Sequence, residues 1–161
     1  MPANVKTKTQ LTVRDVMTRD PVRVGSATTV RQLVEILVEN EISGVPVVDA
    51  LDRVLGVVSK TDLLNRCLSG PGDSGAEAFF VTIAEMLEID LDIDADSQST
   101  VEDFMSSDPL TASPDEPIVS AARRMAENHV HRLIVTDQQG YVVGVVTTLD
   151  LLKALASRKD A

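Results

Sequence analysis

The strongest constraint on this chain is internal: one stretch of sequence is written twice, at an offset of 88 residues. Thr12-Val13-Arg14-Asp15-Val16-Met17 returns as Thr100-Val101-Glu102-Asp103-Phe104-Met105. Asp20-Pro21 returns as Asp108-Pro109, Gly56-Val57-Val58 as Gly144-Val145-Val146, and Asp62-Leu63-Leu64 as Asp150-Leu151-Leu152. The register runs from Thr12–Leu68 to Thr100–Ala156 without a gap, and 17 of those 57 pairs are identical. Chance would not hold one register that long, so the fold is that of one unit used twice.

Each copy predicts the same elements. A short helical turn carries Asp15-Val16-Met17 or Asp103-Phe104-Met105, and Pro21 or Pro109 opens an extended segment. A helix follows from Thr29 to Asn40, with Val30, Leu33, Val34 and Leu37 on one face. Its counterpart runs from Pro117 to Asn128, with Ile118, Ala121, Ala122 and Met125 aligned. Two strands come next, Val45–Val48 and Val54–Val58 in the first copy, Leu133–Val135 and Val142–Val146 in the second. Asp49-Ala50-Leu51-Asp52 and Asp137-Gln138-Gln139-Gly140 predict the hairpin turns. Gly56 and Gly144 lie inside strands, where a glycine admits a close neighbour. Ser59 and Thr147 stand in N-cap position before a last helix.

A unit of this size buries little surface alone. Two copies packed sheet to sheet are expected to share one core, with pseudo-twofold symmetry and clefts where they meet. The core must be aliphatic, because hydrophobic residues make up 43% of the chain and aromatics only 2%. The boundaries expected are a tail at 1–11, repeats at 12–68 and 100–156, an insertion at 69–99 and a short tail at 157–161.

The pattern resembles a tandem pair of CBS domains. The residues that carry the likeness are Gly44-Val45-Pro46-Val47-Val48-Asp49 followed by Gly56-Val57-Val58-Ser59-Lys60-Thr61-Asp62, and His131-Arg132-Leu133-Ile134-Val135-Thr136-Asp137 followed by Gly144-Val145-Val146-Thr147-Thr148-Leu149-Asp150. The likeness implies a mixed α/β (α+β) fold of two β-α-β-β-α repeats forming one module. It further implies regulatory binding of adenosine-containing ligands: AMP, ADP, ATP, NAD or S-adenosylmethionine. It implies a homodimer in a flat four-domain disc, acting as an energy-sensing module on a regulated protein. No obligatory cofactor is implied beyond the adenine nucleotide as regulatory ligand.

The candidate ligand residues fall in three groups. Ser59 with Asp62, and Thr147 with Asp150, sit where a strand gives way to a helix, so that the helix dipole favours an anion and the carboxylate can accept from ribose. The same spacing also makes a capping box, which needs no ligand. His131 and Arg132 form the second group; in the resembled family a His-Arg pair reaches phosphate, which arginine clamps with two hydrogen bonds. Ser43 and Gly44 stand at the matching positions of copy one, without charge, so the two clefts are expected to differ. In the third group, Thr111 and Ala112, with Arg23 and Val24 in copy one, lie on the first extended segment, against which the family lays adenine; Val45 and Leu133 are expected as apolar walls.

Nothing predicts catalysis. The chain has one cysteine, Cys67, and two histidines in one loop, His129 and His131. It lacks the glycine-rich phosphate loops of nucleotide hydrolases and dinucleotide enzymes. No metal site is expected either. The Asp90, Asp92, Asp94, Asp96 alternation misses the calcium-loop pattern, because Ser97 replaces its glycine and Asp103 its final glutamate. The net charge is −10, and residues 69–99 supply eight acids with no Lys or Arg. The acidity thus belongs to one segment, and nucleic acid is not expected as a partner; no apolar stretch approaches the roughly 18 residues that span a bilayer and Met1–Gln10 lacks a secretory pattern, so membrane is not expected and the expected compartment is the cytoplasm. Within the insertion, Phe80, Ile83, Ala84 and Leu87 predict an amphipathic helix over 77–88. That helix, with the uncharged first cleft, keeps a second reading open: a protein-interaction module whose nucleotide clefts are degenerate.

Overall fold

The computed structural model describes residues 10–68 and 99–157. The acidic insertion with its expected helix lies outside the described residues, as does the side chain of Cys67. In chain order the elements are α1 (Val13–Val16), β1 (Thr18–Arg19), β2 (Val24–Gly25), α2 (Val30–Glu39), β3 (Gly44–Val48), β4 (Val54–Ser59) and α3 (Lys60–Leu68). A 3-10 turn (Val101–Asp103), β5 (Thr111–Ala112), α4 (Ile118–Glu127), β6 (Arg132–Thr136), β7 (Val142–Thr147) and α5 (Thr148–Ala156) follow. One sheet has the order β2-β3-β4 and the other β1-β7-β6-β5.

The helices begin and end where the sequence places them. Thr29 caps α2, accepting from the Gln32 amide at 3.3 Å, and Asn40 closes it by donating to the Ile36 carbonyl. Leu33 and Leu37 turn fully inward, as do Ala121 and Met125 on α4. Pro117 stands at the N-cap of α4, where its missing N–H costs nothing. Both hairpin turns are held by an aspartate. Asp49 Oδ1 accepts from the amides of Leu51 and Arg53, and Asp137 Oδ1 from those of Gln139 and Tyr141. Each turn then reaches the other copy, Val54 N donating to Gly140 O and Val142 N to Asp52 O.

The expectation of one shared core needs correction. There are two cores, and each is completed by the other copy. The core of copy two, built on Ala112, Ala121, Met125, Leu133, Val135 and Val146, takes in Val13 from copy one. The core of copy one, built on Val24, Leu33, Leu37, Val45, Val47 and Val58, takes in Val101 from copy two. Sheet-to-sheet packing contributes only a smaller seam around Val48, Ile134 and Val142.

The leading segments are thus exchanged, and the backbone repeats the exchange with the same offset. Val13 N donates to Glu116 O as Val101 N donates to Thr28 O, both at 2.8 Å. β1 pairs antiparallel with β7, Thr18 facing Val145, and Ser106 bridges Val57 in the mirror position. The strand glycines explain themselves here. Met17 and the Thr18 carbonyl pass over Gly144, and Met105 and the Ser106 carbonyl pass over Gly56, each too close for a Cβ. Sequence periodicity cannot show this exchange, because a valine that fills a foreign core looks the same as one that fills its own.

Candidate functional site

Two helix starts, those of α3 and α5, hold the same capping box. Asp150 Oδ2 accepts from the amide and hydroxyl of Thr147, both at 2.8 Å, and the Asp150 amide returns to Thr147 Oγ1 at 3.3 Å. Ser59 and Asp62 make the same three bonds at 2.7, 2.7 and 3.3 Å. Both boxes spend Oδ2 and, among the described residues, leave Oδ1 without a donor. Capping and ligand contact are therefore compatible on one carboxylate.

The start of α5 opens onto a cavity of about 590 Å³ between the copies. Copy one supplies Thr18 to Val22 in part, with Ile42, Ser43 and Pro46; copy two supplies His131, Arg132, Val145 and Thr147 to Leu149 in part. The exchange of leading segments is what places Pro21 and Val22 opposite Thr147. Two lining residues, Asp20 (φ 46°) and Glu41 (φ 53°), hold left-handed backbone that costs a non-glycine residue energy. Asp20 is tied to Arg23, which also reaches Asp52 at 3.4 Å.

Of the residues singled out from the sequence, Ser43, His131, Arg132 and Thr147 line this cavity. Asp150 lies one turn into α5 behind Thr147, and Ser59 and Asp62 hold the equivalent place on α3. The residues expected as apolar walls lie outside this lining. Val45, Leu133 and Ala112 are at most 3% exposed and belong to the two cores. Val24 is likewise core, and the Thr111 carbonyl accepts from Arg124 Nη2 at 2.7 Å on β5. The cavity walls are instead Pro21, Val22, Ile42, Pro46 and Val145. A repeated Asp-Pro pair was the sequence signal for Pro21 and Val22, but it marks a chain turn and says nothing of what the turn faces.

Arg132 reaches across to the other copy. Its Nη2 donates to Ser43 Oγ of the other copy at 2.8 Å, and its guanidinium lies against Gly44. Burial draws its pKa down from the usual value, and the charge of Asp62 pushes it back up. Among the described residues no three His, Cys, Asp or Glu side chains gather as for a metal, and no helix is long and apolar enough to cross a membrane.

Comparison with known proteins follows the same two units. A family model described as CBS domain matches residues 13–69 and 101–157. An uncharacterised protein of Methanocaldococcus jannaschii is 29% identical over 153 residues, covering 89% of this chain and 90% of that protein. CBSX1, a chloroplast CBS domain-containing protein of Arabidopsis thaliana, is 32% identical over 141 residues, covering 81% of this chain and 57% of its own length. The chain spans only 24% of another relative, L-aspartate semialdehyde sulfurtransferase of Methanocaldococcus jannaschii, at 24% identity over 91% of the chain. Among solved structures, CBSX2 of Arabidopsis thaliana in complex with AMP superposes with a TM-score of 0.72 at 29% identity, covering 92% of this chain and 99% of that one. The CBS domain pair of protein MJ0100, solved with 5-methylthioadenosine and S-adenosyl-L-methionine, gives 0.70 at 23% identity, covering 93% and 99%. At that identity the likeness speaks for the fold alone.

Proposed function

Because the chain belongs to the CBS domain family and carries two copies in tandem, we propose that it is a regulatory sensor that binds an adenosine-containing ligand between them. One observation carries the reading: the cavity gathers the α5 helix start, Ser43, His131 and the apolar Pro21–Val22 turn around one hollow. A base fits the apolar wall, a ribose the open Oδ1 of Asp150, and a 5′ phosphate the positive end of the α5 dipole. Pockets of this size are typical of small-molecule sites. The protein would then act by binding, passing nucleotide levels to a regulated partner, and not by catalysis. Calorimetry with AMP, ADP, ATP, NAD and S-adenosylmethionine checks this. Saturable heat from at least one of them is expected; no binding by any at millimolar concentration overturns it and favours an interaction module with degenerate clefts.

The same reading includes a homodimer. Val119, Leu149, Leu152 and Leu155 on α4 and α5 are each more than half exposed, and all but Leu149 border a second, apolar hollow of about 430 Å³. The matching positions in copy one are Arg31, Thr61, Leu64 and Cys67, which are far less apolar. An apolar patch of this kind on one repeat is suited to a twofold contact with itself. Leu152→Glu with Leu155→Glu is expected to turn a dimer into a monomer by light scattering, with the circular dichroism spectrum retained.

A further inference from the structure

Four non-glycine residues among those described hold left-handed backbone: Asp20 (φ 46°), Glu41 (φ 53°), Asp52 (φ 63°) and His129 (φ 54°). Glu41 and His129 stand 88 residues apart, and each follows the C-cap of its helix, so both belong to the repeat. Asp20 and Asp52 do not. The counterpart of Asp52 is Gly140, which takes φ 86° freely. The counterpart of Asp20 is again an aspartate, Asp108, and it is not left-handed. One residue type in one repeat position thus takes two conformations.

The difference lies three residues on, where copy one has Arg23 and copy two has Thr111. Arg23 pairs with both left-handed aspartates, with Asp20 through Nη2 and with Asp52 through Nη1 at 3.4 Å. Nη1 also donates to the Val142 carbonyl of copy two at 3.5 Å. The Arg23 side chain is only 23% exposed, so its head is held and does not sweep through solvent. One guanidinium therefore joins the leading turn, the first hairpin turn and β7. Thr111 is too short to do this. Left-handed backbone costs a non-glycine residue energy and persists where its surroundings hold it. The turn held here matters, because Asp20 sets the course of Pro21 and Val22, which wall the 590 Å³ cavity. Arg23 itself is not part of that lining.

We propose that Arg23 is a positioning residue: it clasps the Asp20-Pro21-Val22 turn in the shape that receives the ligand's base, before any ligand arrives. The inference rests on the sensor reading and adds what keeps its cavity preformed. A wall fixed in advance need not be ordered on binding, and that saving appears as affinity. The clasp acts on the apolar wall, so it serves any ligand that lays a base there, with or without a phosphate.

Calorimetry on the full chain tests this, with AMP and adenosine as probes and at a temperature where circular dichroism shows each variant folded. Arg23→Met keeps most of the aliphatic stem and removes the clasp. It should weaken AMP and adenosine alike, by about tenfold. Arg23→Lys keeps a charge for one aspartate and should recover part of that loss. Arg14→Met is the control. It breaks an ion pair that joins the copies, Arg14–Asp115 at 3.0 Å, with neither residue part of the cavity lining, and should leave both affinities unchanged. Undiminished affinity in Arg23→Met overturns the clasp and leaves the sensor reading intact. A loss confined to AMP also overturns it, because charge and not the wall would then be at stake. So does an equal loss in Arg14→Met, or no recovery in Arg23→Lys. No binding of either probe by the unaltered protein overturns the sensor reading and the clasp with it.

Discussion

Adding a single methyl group at Gly144 is expected to lower the stability of the whole fold by about 3 kcal/mol, the upper end of overpacking costs. A Cβ there would stand 2.9 Å from the Thr18 carbonyl and closer still to Met17 Sδ. The methionine can swing aside, but the carbonyl is fixed where β1 pairs with β7. The strand must move off, and with it the segment that delivers Val13 to the core of copy two. Gly56→Ala is expected to act in the same way from the other side, because its Cβ would stand 2.5 Å from the Ser106 carbonyl. Gly25→Ala is the control. It also adds a methyl within a strand, but nothing lies within 4 Å, so its effect should stay within about 0.5 kcal/mol. Urea melts of the three variants decide the matter. Equal stability for Gly144→Ala and Gly25→Ala would contradict the exchange of leading segments.

The second large effect is expected on binding. Asp150→Ala removes the carboxylate proposed to accept from ribose, and a charge-assisted hydrogen bond is worth about 1.5–3 kcal/mol. Affinity for the adenosine ligand should fall by about 100-fold. The same change removes a cap, which costs the free protein about 1 kcal/mol. The two losses must be told apart, and the chain carries its own control. Asp15 accepts from the amide and hydroxyl of Thr12 at 2.8 and 3.0 Å, as Asp150 does from Thr147, yet Thr12 is not part of the cavity lining and Thr147 is. Asp15→Ala should show the loss of stability without the loss of affinity. If both variants bind alike, the carboxylate at Asp150 is a cap and nothing more.

That control also shows how much of the site the sequence could disclose. Among the described residues a Ser or Thr followed three residues later by Asp occurs at Thr12, Ser59, Thr100 and Thr147, and in all four places the carboxylate caps back. The spacing is legible because local geometry dictates it. Which of the four face a ligand is not, because that depends on where the copies meet. The elements themselves were legible for the same local reason. Thr29, Asn40, Asp49 and Asp137 each fix their own turn within four residues. Val45 and Leu133 show the opposite limit. Strand alternation gives each an apolar face, but only the packed sheet tells that this face looks into a core and not into a cleft. The reach of Arg132 to Ser43 was equally hidden, since the two residues lie 89 positions apart and meet only where the copies pack.

The exchanged segments have a consequence for how the chain is made. Domains commonly fold in order as they leave the ribosome, at roughly 10 residues per second. The strands and helices of copy one emerge by Leu68, but Val101 and Ser106, which close its core and its sheet edge, follow after a delay of about 3–4 s at that pace. Copy two meets the reverse situation: its missing valine, Val13, was synthesised first and waits in solution until Val146 is in place to receive it. Among the described residues, some of the first to be made are thus among the last to find their partners. A nascent chain halted after Leu68 would carry a complete set of elements around an open slot.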